Sequence, residues 1–223
     1  MRKIITTTFV TLDGVMQAPG GPEEDTSNGF KYGGWQLGGN YGDEVADKIL
    51  DDFMAIPFEL LLGKRTYEIF ASYWPTDKQE PRIAKPWNST KKYVVSHKPF
   101  KLSWNNSILI TPSTPFDKTQ GGSLRTGGDV VSEIKKLKIN PPAGGGPDLW
   151  VWGSGNLIQT LLRHHLIDRM YIWTFPVTLG IGKKLFAEGT RPQRFKPVDT
   201  KITSTGVIIA TYEPSEPFKI GSY

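Results

Sequence analysis

The stretch LWVWGSGNLIQTLL, residues 149 to 162, constrains this chain more than any other. Leu149 to Trp152 form a short apolar run, Gly153-Ser154-Gly155-Asn156 interrupt it, and Leu157, Ile158, Leu161 and Leu162 then recur at helical spacing. The pattern is strand, glycine turn, helix. Such a turn lets a ligand approach the backbone closely. The helix start behind it offers unpaired N–H groups and a partial positive charge, a natural seat for phosphate.

The rest of the chain repeats the alternation. The β-branched run Ile4 to Val10 predicts a strand that ends at the turn Leu12-Asp13-Gly14-Val15, and a glycine-rich loop follows from about Ala18 to Gly42. Val45, Ala46, Ile49, Leu50, Phe53 and Met54 give Asp43 to Ala55 a helical period, which Pro57 stops. Glu59 to Leu62 predicts a short buried strand, and Gly63-Lys64-Arg65-Thr66 opens a helix to about Tyr73. A polar, proline-bearing loop leads to a strand over Lys92 to Val95 that ends in Ser96-His97-Lys98, and Ser107 to Ile110 predicts a further strand. After a Pro/Thr/Gly-rich loop, Val130, Val131, Ile134 and Leu137 mark a helix from near Asp129. NPPAGGGP is too short for a domain boundary and reads as a loop. An aromatic strand over Arg169 to Phe175 and a hairpin from Phe195 to Tyr212, bent near Gly206, complete the set. These elements predict a mostly parallel sheet covered on both faces with an antiparallel C-terminal edge. Ligands in such sheets collect beyond the carboxyl ends of the strands, where this chain carries Gly63 to Thr66, Ser96 to Lys98 and Gly153 to Asn156.

At 223 residues the chain fits one domain over residues 1–213, with residues 214–223 as a tail. It has no apolar run near the ~18 residues of a membrane span, and threonines and Asp13 spoil its N-terminus as a signal peptide, so a cytoplasmic location is expected. The absence of cysteine excludes a disulfide, a thiolate nucleophile and a Cys-based zinc site. The net charge of +5 favours anionic ligands, but its basic residues are dispersed and no nucleic-acid-binding motif accompanies them.

Ile158 stands where a dinucleotide fingerprint would place its third glycine, so an ordinary Rossmann domain is not predicted. Lys64-Arg65-Thr66 nevertheless repeats the same device on a second strand, and arginine suits the extra phosphate that distinguishes NADP from NAD. FVTLDGVM, LLLGKRTYE, YVVS, VWGSGNLIQTLL and LIDRMYIWTFPVTLGIGKKLF, in this order and spacing, resemble the dihydrofolate reductase superfamily. The similar branch is the one related to the reductase (C-terminal) domain of the bacterial riboflavin-biosynthesis deaminase/reductase, and the resemblance runs from about Lys3 to Tyr212. It implies a dihydrofolate reductase-like three-layer α/β fold around an eight-stranded, mixed and mostly parallel sheet, NADPH as hydride donor, and a homodimer. The deaminase domain is not expected, since its zinc-binding cysteines are missing.

By the same resemblance, Gly153, Ser154, Gly155, Asn156 and Leu157 match the loop that holds the cofactor's pyrophosphate. Gly63, Lys64, Arg65 and Thr66 match the loop at its adenosine end, and Ser96 matches the hydroxyl near the ribose phosphate, with His97 and Lys98 as neighbours. Asp13 and Gly14 match the turn at the nicotinamide and substrate end, and Asp47 occupies the place of the acid that polarises the substrate ring in dihydrofolate reductases. The loop QAPGGPEEDTSNGFKYGGWQLGGNYG departs from the loop that closes over folate and leaves the substrate open.

Read from the residues alone, Asp43 and Asp47 lie on one side of their helix, where a desolvated acid could deliver protons or a solvated acidic face could form with Glu44 and Asp51. Asp43 fits the solvated face; Asp47 fits both readings, and Asp13 is either catalytic or a turn former. His164-His165 lacks a third ligand and predicts no metal site. Trp35, Trp74 and Trp87 either line a pocket for a flat heterocycle or pack loops, with packing the expectation for each alone, and Tyr171, Trp173 and Phe175 form an exposed-looking run that could meet a second copy. The expected function is NADPH-dependent reduction of a small heterocyclic (pterin- or flavin-precursor-like) or carbonyl/imine substrate. The alternative is a diverged dimeric NADP-binding protein without turnover. Neither nucleic acid nor membrane is an expected partner.

Overall fold

The computed structural model describes residues 1–112, 129–139 and 146–221. The loop expected before the helix at Asp129 and most of NPPAGGGP lie outside these residues, as do the last two of the expected tail. Eight strands form one sheet: β1 (Ile4–Thr11), β2 (Phe58–Gly63), β3 (Lys92–Val95), β4 (Ser107–Ile110), β5 (Asp148–Trp152), β6 (Arg169–Phe175), β7 (Phe195–Ile202) and β8 (Ile208–Pro214). Their order across the sheet is β4-β3-β2-β5-β1-β6-β8-β7, with the first six strands parallel to one another and β8 antiparallel to both β6 and β7.

The helices are α1 (Trp35–Gly38), α2 (Glu44–Ala55), α3 (Lys64–Tyr73), α4 (Pro81–Ser89), α5 (Val130–Ile139) and α6 (Gly155–Arg163). Asp43 caps α2, its carboxylate accepting the Val45 N–H at 2.7 Å. Helix α4 falls where a loop was expected. Pro81 stands in its first turn, where the missing N–H costs nothing, while Pro86 lies inside it. Burial of Ala84 and Trp87 against the sheet outweighs that internal proline.

Strand periodicity sorts the core into two chemically different layers. One face of the sheet carries Ile5 and Phe9 of β1, Trp150 and Trp152 of β5, and Trp173 and Phe175 of β6, packed under α2, α3 and α4 through Phe53, Tyr67 and Trp87. The other carries Ile4 and Val10, Leu149 and Val151, and Met170, packed under α5 and α6 through Ile134, Ile158 and Leu161. The first face is aromatic and the second aliphatic. Trp173 and Phe175 are each 2% exposed, which corrects the reading of their run as a surface patch: alternation turns both rings into the aromatic layer. The exposed apolar residues at this end of the sheet are instead Val198 and Ile202 on β7 and Ile208 on β8.

Candidate functional site

A cleft of about 1900 Å³ crosses the carboxyl ends of β2, β3 and β5 and continues over the aromatic face. Pockets for single drug-sized ligands run to roughly 300–1,000 Å³, so this one has room for a dinucleotide and a second small molecule together. Gly63, Lys64, Arg65, Thr66, Ser96, Gly153, Ser154, Gly155, Asn156 and Leu157 all line it.

At one end two helix starts converge. The first intrahelical bond of α6 runs from the Ile158 N–H to the Ser154 carbonyl, so the amides of Gly155, Asn156 and Leu157 precede the helical ladder. Helix α3 starts on the adjacent strand, and Gly63, its N-cap residue, supplies no side-chain cap. The two starts are tied together: the Gly63 N–H donates to Ser154 Oγ at 3.1 Å, and the Ser154 N–H donates to Thr66 Oγ1 at 3.0 Å. Gly153 and Ser154 both hold left-handed backbone, at φ 57° and 55°, which is how the chain turns from β5 into α6 without an intervening loop. A Cβ on Gly155 would lie 3.0 Å from Met16 Sδ, so the segment after β1 crosses directly over this turn. Ser96 is 6% exposed, its hydroxyl donating to the Lys98 carbonyl at 2.6 Å. Lys64 reaches back to Glu68 at 3.7 Å and lies over the Phe100 ring at 4.8 Å.

At the other end is a chamber walled by the aromatic face. Phe9 packs edge-on to Trp152, Trp173 and Phe175 at 6.5, 5.3 and 5.5 Å between centroids. Trp87 of α4 packs against Trp152 at 5.4 Å and against Trp74 at 5.0 Å. The indole N–H groups of Trp87, Trp152 and Trp173 and the hydroxyls of Thr7 and Thr8 are enclosed without a hydrogen-bond partner, and all five residues line the cleft. Trp87 and Trp35 pack as expected, the latter's indole donating to the Gln17 carbonyl at 2.8 Å.

The two acids singled out from the sequence occupy different settings. Asp13 lies outside the cleft lining. Its carboxylate accepts from Thr11 Oγ1 at 2.5 Å, from the Gly180 N–H at 2.7 Å and from the Leu179 N–H at 3.3 Å, and the Thr11 hydroxyl together with these amides holds it below the usual carboxylate range. It ties the turn after β1 to the segment after β6. Asp47 does line the cleft, at its mouth, where it accepts from Arg82 of α4 at 2.7 Å; Arg82 also reaches Glu80 at 3.3 Å and Asp51 at 3.7 Å. Among the described residues no cluster of His, Asp or Glu could hold a metal ion, and His164 and His165 close α6.

Sequence reasoning passed over two acids that line the cleft, Glu24 and Asp25. Residues 18–25 of the glycine-rich loop line the cleft between the glycine turn and the chamber. Asp25, 8% exposed, accepts from Lys183 Nζ and Ser27 Oγ, each at 2.6 Å, and lies 3.7 Å from Arg65. Burial works against its charge, but the bonds from Lys183 and Ser27 hold it below the usual carboxylate range. Glu24 turns back into the loop, accepting the Gly20 N–H at 2.6 Å, and burial raises its pKa above the usual glutamate value. The available signal was the acidic triplet Glu23-Glu24-Asp25 inside a glycine- and proline-rich loop of a basic chain.

A mixed eight-stranded sheet with helix starts at the carboxyl ends of its inner strands and a cleft running onto one face is the arrangement of dihydrofolate reductase-like α/β domains. The chain belongs to the RibD C-terminal domain family, whose model matches residues 2–209. A Bacillus subtilis protein, YyaP, described as uncharacterized, is 27% identical over 218 residues, covering 95% of this chain and 94% of its own. The fold is shared with a pyrimidine reductase-like protein from Corynebacterium diphtheriae (TM-score 0.65, 11% identity, 96% of this chain and 92% of that one). It is shared too with the Saccharomyces cerevisiae riboflavin biosynthesis reductase Rib7 (TM-score 0.58, 14% identity, 96% and 90%). Acinetobacter baumannii RibD has a TM-score of 0.64 at 14% identity, over 96% of this chain and 58% of that one.

Proposed function

We propose that this protein is an NADPH-dependent reductase of a small, flat heterocyclic or conjugated carbonyl or imine compound. Membership of the RibD C-terminal domain family supports an oxidoreductase. The observation that carries the finer reading is the continuity of one cleft from a pair of converging helix starts to an aromatic chamber. A dinucleotide fits the first part through the free amides of α6 and the cations Lys64 and Arg65, and when bound it supplies the hydride. The chain's own work is binding, orientation and proton handling. Phe9, Trp152 and Trp173 suit the faces of a planar ring.

No helix among the described residues is long and apolar enough to cross a membrane. The chain is proposed to work as a homodimer, supported by the outermost strand β7 and its neighbour β8, which leave Val198, Ile202 and Ile208 exposed. A binder without turnover remains the second reading, favoured by the occupied carboxylates of Asp13 and Asp47. The two separate on one experiment: calorimetric titration with NADPH, followed by its oxidation, read as loss of the reduced nicotinamide's absorbance, in the presence of flavin-precursor-like and conjugated carbonyl compounds. Binding with oxidation supports the reductase, binding without oxidation supports the second reading, and no binding overturns both.

A further inference from the structure

Resting on the reductase reading, we propose that the chamber selects an uncharged planar substrate, one without a phosphate or carboxylate group, because the acids of the loop after β1, of α2 and of α4 leave it no free cation among the described residues.

The walls come first. Phe9, Trp152 and Trp173 of the sheet, Leu50 of α2, Phe70 of α3 and Trp87 of α4 line the chamber. Trp87 joins roof to floor, with its ring 5.0 Å from Phe70 and 5.4 Å from Trp152. A charged group that enters such a space loses its water without gaining a partner. An anion fares worst, because the faces of aromatic rings are themselves negative.

The charges come second. The chain carries a net charge of +5, but the excess is not spread evenly along the cleft. Lys64, Arg65, Lys98, Arg163, Lys183 and Lys184 line it from the segments that follow β2, β3, β5 and β6. Asp25 is bonded to Lys183 at 2.6 Å, which takes that lysine out of play. The loop after β1, α2 and α4 with its cap contribute Glu23, Glu24, Asp25, Asp47 and Glu80, against one cation among the described residues, Arg82. That cation is already taken. Its guanidinium meets Asp47 at 2.7 Å, Glu80 at 3.3 Å and Asp51 at 3.7 Å, while Lys48 of α2 is paired with Asp52 at 3.0 Å. The bond to Asp47 raises the pKa of Arg82, so the guanidinium stays charged, and three carboxylates around it leave the mouth negative. Tyr73, which also lines the cleft, registers this field: removal from water, and then the charges of Asp77 and Glu80, lift its hydroxyl above the ordinary tyrosine range.

A substituent that reaches from the chamber to the mouth therefore meets acceptors. Hydroxyl and amino groups suit them, whereas a phosphate or carboxylate meets like charge.

The test uses the full chain and matched compounds: an aminouracil riboside and its phosphate ester, and a pterin and its carboxylate. Each is titrated calorimetrically into protein saturated with oxidised NADP, and each is then offered with NADPH. At low salt the uncharged member of each pair should bind about tenfold more tightly, the scale of like charges acting through water, and added salt should narrow the gap. Asp51→Asn combined with Glu80→Gln leaves Arg82 only Asp47, and should narrow the gap as well, with a wild-type melting temperature. An anionic member that equals or exceeds its partner overturns the proposal, and NADPH oxidation in the same assay shows that the reductase reading stands. A gap that neither salt nor the double variant moves assigns the selection to shape and overturns the role of the charges. Failure of all four compounds to bind, with NADPH bound normally, overturns the chamber as the seat of a planar ring and the proposal with it. A protein that binds no NADPH overturns the reductase reading itself.

Discussion

Ser154 offers the most direct test of how the cleft is assembled. Its hydroxyl accepts the Gly63 N–H at 3.1 Å and donates to the Trp152 carbonyl at 3.1 Å, while its own backbone sits in the left-handed region. Ser154→Ala keeps the backbone strain and removes the hydroxyl, leaving the partly buried Gly63 N–H without its acceptor. Leaving such a group unpaired costs about 1–3 kcal/mol. Ser154→Gly removes the same hydroxyl but relieves a left-handed penalty of roughly 1–2 kcal/mol, less up to about 1 kcal/mol for the looser unfolded chain. Alanine should therefore destabilise by about 1–3 kcal/mol, and glycine by about 1 kcal/mol less. For a domain of this size each kcal/mol corresponds to roughly 2–4 °C in Tm. Urea denaturation and thermal melts of the two variants read the difference, and calorimetry should show NADPH binding weakened in both, because both untie α6 from β2. Equal stability of alanine and glycine variants would refute the strain, and wild-type stability in both would refute the tie.

The other expectations are simpler. Lys92 is fully enclosed, with Nζ on the Thr90 carbonyl at 2.8 Å and over the Trp104 ring at 4.5 Å, and burial pushes its pKa down to about 8. Between that value and about 10.4, the ordinary lysine value, the unfolded chain binds the proton that the folded chain releases, so stability rises with pH. Urea midpoints of wild type should climb through this window relative to Lys92→Met by about 1–3 kcal/mol in unfolding free energy, and parallel curves would dismiss the effect. Arg65→Ala should weaken NADPH about ten- to a hundredfold by calorimetry with NADH nearly unaffected, since one charge-assisted bond contributes about 1.5–3 kcal/mol. Equal losses for both cofactors would mean that Arg65, 3.7 Å from Asp25, supports the loop instead. Light scattering at micromolar concentration should return a dimer mass that Ile202→Glu reduces to the monomer, and a monomeric wild type would end the dimer proposal.

Much of this architecture was legible because strands and helices here have short-range causes. Lys92–Val95, Ser107–Ile110 and Arg169–Phe175 are where apolar and β-branched runs placed them, and α2 starts and stops on Asp43 and the residues before Pro57. Helix α4 was illegible because Pro86 argues locally against it, and the burial of Trp87 under distant strands, which outweighs that proline, has no local signal. That Gly63–Thr66, Ser96 and Gly153–Leu157 would share one cleft could be read because each group follows a strand directly. Glu24 and Asp25 could not be read in that way. Their settings depend on Lys183, more than 150 residues away, and on a loop without periodicity. The same holds for Asp47: its helical position was evident, but its partner Arg82 comes from the helix that the sequence concealed.

The division of the sheet into an aromatic and an aliphatic face also makes this protein its own optical probe. Of the seven tryptophans, Trp150, Trp152 and Trp173 stand on the face that the cleft crosses, and Trp74 and Trp87 roof it from α3 and α4. Indole emission falls where reduced nicotinamides absorb and oxidised ones do not. A reduced dinucleotide seated against that face would quench this light by energy transfer, and its oxidised form would restore it. Occupancy and redox state of the cleft could then be followed together, in real time, without a label.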